Sequence, residues 1–358
     1  MKSKNEKLFI DMHAIQIVPP SNINRDDTGS PKTAQYGGVK RARVSSQSWK
    51  KAMRTYFNEE WKISNVGIRT LDIIKYVAEK IVELDHSVEM EVAMKKAKNI
   101  FEKTHIKFTD NKAKALFFLG DTQAGELAKA VLEDVSDKKE IEKILNDNKP
   151  IDIALFGRMV ADNPLLNEDA SSQVAHSIST HGVQTEFDFF TAIDDLSPES
   201  NTGAGMLSTV EFNSSTLYRY ANLAVHEFVN QIGDKELVIN SIKLFIKAFV
   251  NSMPTGKINT FANQTLPQFV MITLRNDRPI NLVSAFEEPV KSTNGYTKLS
   301  IKKLMNESKK IEKFINKPVL QLFMSVDEID GLQLLGIEKE NINDLNEDVD
   351  NYLNDWLI

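Results

Sequence analysis

Across 358 residues, 41% hydrophobic and 26% charged side chains describe an ordinary globular chain, long enough to bury at least one full-sized core. It has no cysteine, which excludes a disulfide framework and any Cys-ligated zinc or iron–sulfur centre. The net charge of −6 argues against wholesale adhesion to nucleic acid, and no apolar run is long enough to span a bilayer. With no signal peptide visible at Met1–Lys7, the expectation is a soluble, cytoplasmic protein.

Leu8–Val18 reads as a strand apolar on much of both faces, ended by Pro19-Pro20. Ser21–Gly38, dense in Asn, Asp, Gly, Pro and Ser, is expected to be a loop. A helix then starts at a capping serine. Trp49, Ala52, Met53, Tyr56 and Phe57 form its core stripe, and Gln47, Lys50, Lys51 and Arg54 share the opposite face. From Thr70 to Asn148 the chain reads as a helical subdomain, with Leu71, Ile74, Val77, Ala78 and Ile81 in one stripe and a capping box at Asp137–Glu140. Mixed patterning returns after Pro150. Phe187–Ile193 and Leu207–Phe212 are expected to pair as a long hairpin, Lys235–Val250 is an amphipathic helix stopped by Pro254 and Gly256, and Gln268–Leu274 is a strand. The acidic tail is expected to be part helical. The order of elements indicates an α+β sheet domain with excursions.

Charge is segregated along this chain. Gly37–Arg54 carries six cations, Lys40, Arg41, Arg43, Lys50, Lys51 and Arg54, with no acid, leaving −12 on the rest; Asp327–Ile358 carries ten acids against Lys339. Lysine and arginine neutralise phosphates, Ser45, Ser46 and Gln47 offer neutral donors, and a helix N-terminus adds oriented N–H groups, so this stretch suits a confined polyanion track. Solvated surface is the plain alternative. Gly37-Gly38 would let a ligand pass close to the backbone or simply make a turn. No P-loop, dinucleotide fingerprint, nucleophile elbow or H-E-x-x-H occurs. His176 and His181 are five apart and are expected to serve local polar roles. The pairs Asp26-Asp27 and Asp194-Asp195 could hold Mg²⁺ for phosphodiester cleavage, although acids in turns commonly satisfy loop backbone donors.

Several segments together resemble a known family: Asn24-Arg25-Asp26-Asp27, the run from Tyr36-Gly37-Gly38 to Arg54, Asp152-Ile-Ala-Leu-Phe-Gly157-Arg158-Met159, Ala175–His181, Asp188–Asp195 and Phe212–Asn222. In this order they are similar to the CasC family, the crRNA-binding backbone subunits of type I-E CRISPR Cascade. The resemblance implies an α+β fold with an RRM-like (ferredoxin-like) palm beginning in residues 1–60 and a helical fingers insertion in 61–150. A palm and fingers return then occupies 151–185, a thumb β-hairpin 186–215, and the second palm part with the acidic tail 216–358.

It further implies a non-catalytic role without metal or cofactor: copies polymerise along a crRNA, hold its phosphates, and present its bases to target DNA beside other Cascade subunits. Carried over by position, Arg25, Lys40, Arg41, Ser45, Gln47, Lys50 and Arg54 match guide-backbone contacts, in a stretch that also holds Arg43 and Lys51. Met159 and Phe190 match apolar residues flanking a displaced nucleotide, where a thioether and a ring accept any base. Ser197–Gly205 would be the thumb tip. Lys138 and Lys139 match a row of lysines that touches target DNA, a row interrupted here by Glu142 and Leu145. A metal-dependent ribonuclease using loop carboxylates is the alternative.

Overall fold

The computed structural model describes residues 6–60, 66–191 and 207–357. Its frame is a sheet built on β1 (Phe9–Ser21), whose alternate residues face two different cores. Ile10, Met12 and Ala14 point to one side and Ile15 to the other, which is why the segment is apolar on both faces. The strand runs on through Pro19-Pro20, contrary to expectation. These residues lack a backbone N–H and fall where the pairing register shifts between Val18 and Ser21, past the last partner on the other side at Gln16.

The expected loop at Ser21–Gly38 contains β2 (Thr33–Tyr36), which forms a hairpin with β3 (Val39–Val44). Gly37 and Gly38 make its turn with φ of 59° and 77°, as the favoured two-residue hairpin turn requires. Helix α1 (Ser46–Glu60) follows. The insertion then comprises β4 (Gly67–Thr70), α2 (Ile73–Leu84), α3 (Met90–Glu102), β5 (Phe108–Thr109), β6 (Lys112–Ala113), β7 (Phe117–Gly120), α4 (Asp121–Leu132) and α5 (Lys138–Asn146). It buries a core of its own, including Ile74, Val77, Ile81, Phe101, Leu119, Leu127 and Ile141. The short β-pairs β4–β7 and β5–β6 inside it were not expected from its helical composition.

The chain returns through α6 (Ile151–Phe156), β8 (Ser172–Val174) and β9 (Ser177–Ser179). It continues through β10 (Glu186–Thr191), β11 (Leu207–Ala224), α7 (Val225–Ile232), α8 (Lys235–Asn251) and α9 (Ile258–Phe261). The last elements are β12 (Pro267–Arg275), α10 (Thr297–Ile311), β13 (Leu320–Ser325), β14 (Ile337–Glu338) and α11 (Ile342–Trp356). Across the sheet the order is β14-β13-β12-β1-β11-β9-β3-β2, with β8 and β10 also pairing to β11. β1 is antiparallel to both neighbours.

On one face α1, α7, α8 and α11 bury Met53, Phe57, Phe228, Phe245, Phe249 and Leu345 against the sheet; on the other, Leu282–Phe286 and α10 cover Tyr218, Phe269 and Phe323. Each large apolar side chain so buried contributes about 1.5–3 kcal/mol. β10 and the first residues of β11 pair from Glu186↔Phe212 to Thr191↔Leu207, so the flanks of the expected hairpin are present. The tip at Ser197–Gly205 and the pair Asp194-Asp195 lie outside the described residues. No described helix is long and apolar enough to cross a membrane.

Candidate nucleic-acid interface

α1 is fixed at its N-terminus and along its buried face. The Ser45 Oγ accepts from the Ser48 N–H at 3.4 Å, while the Ser45 N–H donates to Asn24 Oδ1 at 2.8 Å. Trp49, Met53 and Phe57 are buried, the Trp49 indole N–H donates to Ser177 Oγ at 2.9 Å, and the buried Arg219 guanidinium lies 3.8 Å over the Trp49 ring. This anchoring turns the other face outward. There Gln47, Lys50, Lys51 and Arg54 line a cleft of about 920 Å³ between α1 and the insertion. The far wall supplies Arg69 of β4, Leu116 and Phe118. The rim carries Met159, which is 85% exposed.

The cleft cations differ in freedom. Lys51 is exposed; Lys50 is half-buried with its Nζ 5.5 Å from the Phe156 ring centre, and burial holds its ammonium below the ordinary lysine value. Arg54 donates from Nε to Asp152 Oδ2 and from Nη2 to the Gly67 carbonyl, both at 3.0 Å, and stacks 4.3 Å over Phe118. Asp152 is fully buried, and burial pushes its carboxyl up against the opposing pull of Arg54 and the Gly67 N–H. Of the two acids at the cleft, Glu168 is held by Lys149 at 2.7 Å and by Gln231 at 2.8 Å, and Asp169 is exposed. Lys51 also lines a second cleft of about 520 Å³ on the other flank of α1, together with Arg25 and Lys257.

Other expected contacts fall elsewhere. Arg41 is completely buried, and its guanidinium donates to the carbonyls of Tyr36 at 3.1 Å, Ser179 at 2.9 Å and Phe286 at 2.7 Å. Spent on pinning the β2–β3 hairpin to the Leu282–Phe286 segment, it faces no open surface, and the expectation that it grips a phosphate is corrected. Gly37-Gly38 likewise forms the turn, with Gly37 packed against the Glu287 carbonyl. Lys40 is exposed on β3. Arg43 donates to the Thr33 carbonyl at 3.1 Å and faces His176 Nδ1 at 3.0 Å, away from the cleft residues. Ser45 is buried at the cap and does not line the cleft.

Arg158, next to Met159, is buried and donates to the Leu166 and Leu145 carbonyls; burial lowers it to about 10. Phe190 is 41% exposed on β10, beside Phe187 and Phe189, which are more exposed still. Lys138 is paired with Glu142 at 3.6 Å and Lys139 is exposed on α5.

His181 has the local role expected of it, with Nε2 accepting from the Thr216 N–H, Nδ1 donating to the Gly182 carbonyl, and its ring stacked 3.7 Å from that of Tyr296. Asp26 Oδ1 accepts from the Thr28 N–H, the Thr28 hydroxyl and the Ser30 N–H, the loop-fixing arrangement of an acid in a turn. Arg69 was not singled out by sequence. Only the β4–β7 pairing, which joins residues fifty apart, brings it to the cleft, and no local pattern announces that.

Comparison with known proteins follows the same lines. A chain described as part of a "CRISPR RNA-guided surveillance complex, pre-nicking" is similar over 96% of this chain and 100% of its own, with 32% identity and a TM-score of 0.86. A chain of a "CRISPR RNA-guided surveillance complex" is similar over 95% of this chain and 99% of its own, with 29% identity and a TM-score of 0.65. No curated protein matches. The family model described as CT1975-like protein matches residues 10–350, which takes in the sheet, the insertion and both walls of the cleft. The chain therefore belongs to the CT1975-like protein family.

Proposed function

We propose that this protein is a crRNA-binding backbone subunit of a CRISPR surveillance complex, of the type I-E CasC kind, and that it holds its guide without cutting it. Copies arranged along one crRNA would each grip a stretch of its backbone and leave its bases free to pair with target DNA, in the cytoplasm and beside other Cascade subunits. The observation that carries this is the cleft of about 920 Å³ in which Gln47, Lys50, Lys51 and Arg69 converge on one open channel with the exposed Met159 at its rim. Lysine and arginine along a channel neutralise phosphates without reading bases, and an exposed thioether accepts any base. The similar structures, both described as CRISPR RNA-guided surveillance complexes, support the same reading.

The RRM-like palm finds support in the order β12-β1-β11-β9, with α1 and α8 packed on one face, and the β10–β11 pairing supports the thumb. Arg25 and Lys257 on the neighbouring flank, with Lys40 and Arg43 on β3, are further guide contacts in this reading; Phe190 belongs to the thumb wedge, and Lys138 and Lys139 to target DNA. The ribonuclease alternative draws no support from Asp26, whose Oδ1 already serves three donors of its own loop.

Co-expressed with its partners and a guide, the protein should purify with RNA. The double reversal Lys50→Glu and Lys51→Glu should remove that RNA while the far-ultraviolet circular dichroism spectrum stays unchanged. RNA retention that survives the double reversal overturns the assignment of the cleft.

A further inference from the structure

The insertion carries a second cationic surface that the cleft does not use. Residues 103–114 contain four lysines against one aspartate. The β5–β6 hairpin in this stretch pairs Phe108 with Ala113 and Thr109 with Lys112, and the Lys114 N–H donates to the Lys107 carbonyl at 2.9 Å. Alternation therefore sends Phe108 and Ala113 into the insertion core, where Phe108 packs against Phe101, and places Lys107, Lys112 and Lys114 together on the outer face. Their side chains are free to solvent, 65% exposed for Lys107 and 62% for Lys112.

Each of these lysines is tied to a segment that lines the cleft. Lys107 reaches Asp162 at 3.0 Å, three residues beyond Met159. Lys112 faces Asp72 at 3.7 Å, three residues beyond Arg69. Lys114 stands two residues before Leu116, a span of at most about 7 Å. The carboxylate pairs are solvent-exposed and weak, so a phosphate can compete with them. Leu116, Phe118 and Met159 form an apolar band in the cleft lining, on the segments to which these lysines are tied.

We propose that the outer face of the β5–β6 hairpin binds the phosphate backbone of the strand that pairs with the guide. This rests on the guide-holding reading. With the guide's phosphates in the cleft and its bases over the apolar band, a paired strand carries its own backbone beyond the bases, towards Lys107, Lys112 and Lys114. The contact is to phosphate and reads no sequence.

The test uses the guide-loaded complex and a labelled strand complementary to the guide, once as DNA and once as RNA, with a non-complementary strand as reference. The triple variant Lys107→Gln, Lys112→Gln and Lys114→Gln should keep its guide. Its affinity for the complementary strands should fall about tenfold at 0.1 M salt, and the slope of log K against log[salt] should shrink by about 2, since each single-strand phosphate contact contributes roughly 0.7. The matching triple Lys→Arg variant should restore both. A loss for DNA alone identifies DNA as the strand, and a loss for both identifies the shared phosphate chemistry. Affinity and salt slope unchanged from the parent overturn the proposal, as does loss of the guide itself from the triple variant, which would make the face part of the guide's own track. A parent complex that carries no guide at all overturns instead the reading on which this rests.

Discussion

Arg54 shows how a cation on an outward helix face can still be part of the architecture. Its guanidinium joins α1 to the first residue of β4 and to the buried Asp152 of α6, so one side chain closes the entry and the exit of the insertion. Removing it leaves Asp152 as an uncompensated buried charge, which typically costs about 3–5 kcal/mol. Urea unfolding of Arg54→Ala should show a loss of that size. Adding Asp152→Asn should recover a large part of it, because the amide needs no counter-charge and its oxygen can still accept from the Gly67 N–H. A double variant no more stable than Arg54→Ala would mean that the stacking on Phe118, rather than the ion pair, dominates. Lys51, exposed one turn away, should tolerate replacement with little change in stability, which makes it and Lys50 the informative positions for guide binding.

At the scale of elements, β1 carries a buried titratable pair whose two members respond to pH in opposite directions. Asp11 accepts from the Tyr220 hydroxyl at 2.7 Å and from the Ile280 N–H at 3.0 Å, with Arg275 nearby; burial outweighs these and, helped by the charge of Asp277, raises its carboxyl to about 7. His13, facing the Tyr218 hydroxyl at 2.9 Å, is lowered by burial to about 3, helped by Arg275. A raised carboxyl favours folding most below its unfolded value near 4, and that contribution is lost as pH rises through 7. A depressed imidazole contributes above about 6.5 and loses as pH falls towards 3. Asp11→Asn should therefore cost more stability at pH 5 than at pH 8, by on the order of 1–3 kcal/mol, measured by urea unfolding at the two pH values. His13 is common to both proteins, so its opposite slope cancels in the comparison. An equal cost at both pH values would show that the buried carboxyl does not titrate in this range.

The elements also differ in how far local sequence discloses them. α1 was legible because Trp49, Met53 and Phe57 repeat at the helical period over a capping serine, and β12 because its apolar run is bounded by loop residues. β2 was not, being four residues long inside a polar stretch and held only by its partner β3. The burial of Arg41 was equally hidden, since the Phe286 carbonyl that engages it lies 245 residues further along the chain. The cations of the cleft could be listed from the sequence. Which of them stay free depends on those non-local covers.

For the molecule as a whole, the cleft lies between two hydrophobic cores that do not merge, one under the large sheet and one inside the insertion. Arg54, Asp152 and Gly67 form a narrow polar bridge between them, so the walls of the channel belong to bodies with separate sources of stability. A polyanion touching Lys50 and Lys51 on one wall and Arg69 on the other spans that division and favours the folded form of both at once. Guide RNA should therefore raise the apparent unfolding temperature and slow amide exchange in α1 and in the β4–β7 pair together, and the gain should shrink steeply between 0.05 and 0.5 M salt as counterion release weakens. Lys50→Glu should remove the gain in both places although it lies on one wall, because binding that couples two bodies is lost as a unit. Protection confined to α1, with the insertion exchanging as in the free protein, would show that the guide lies on the α1 wall alone and that Arg69 takes no part.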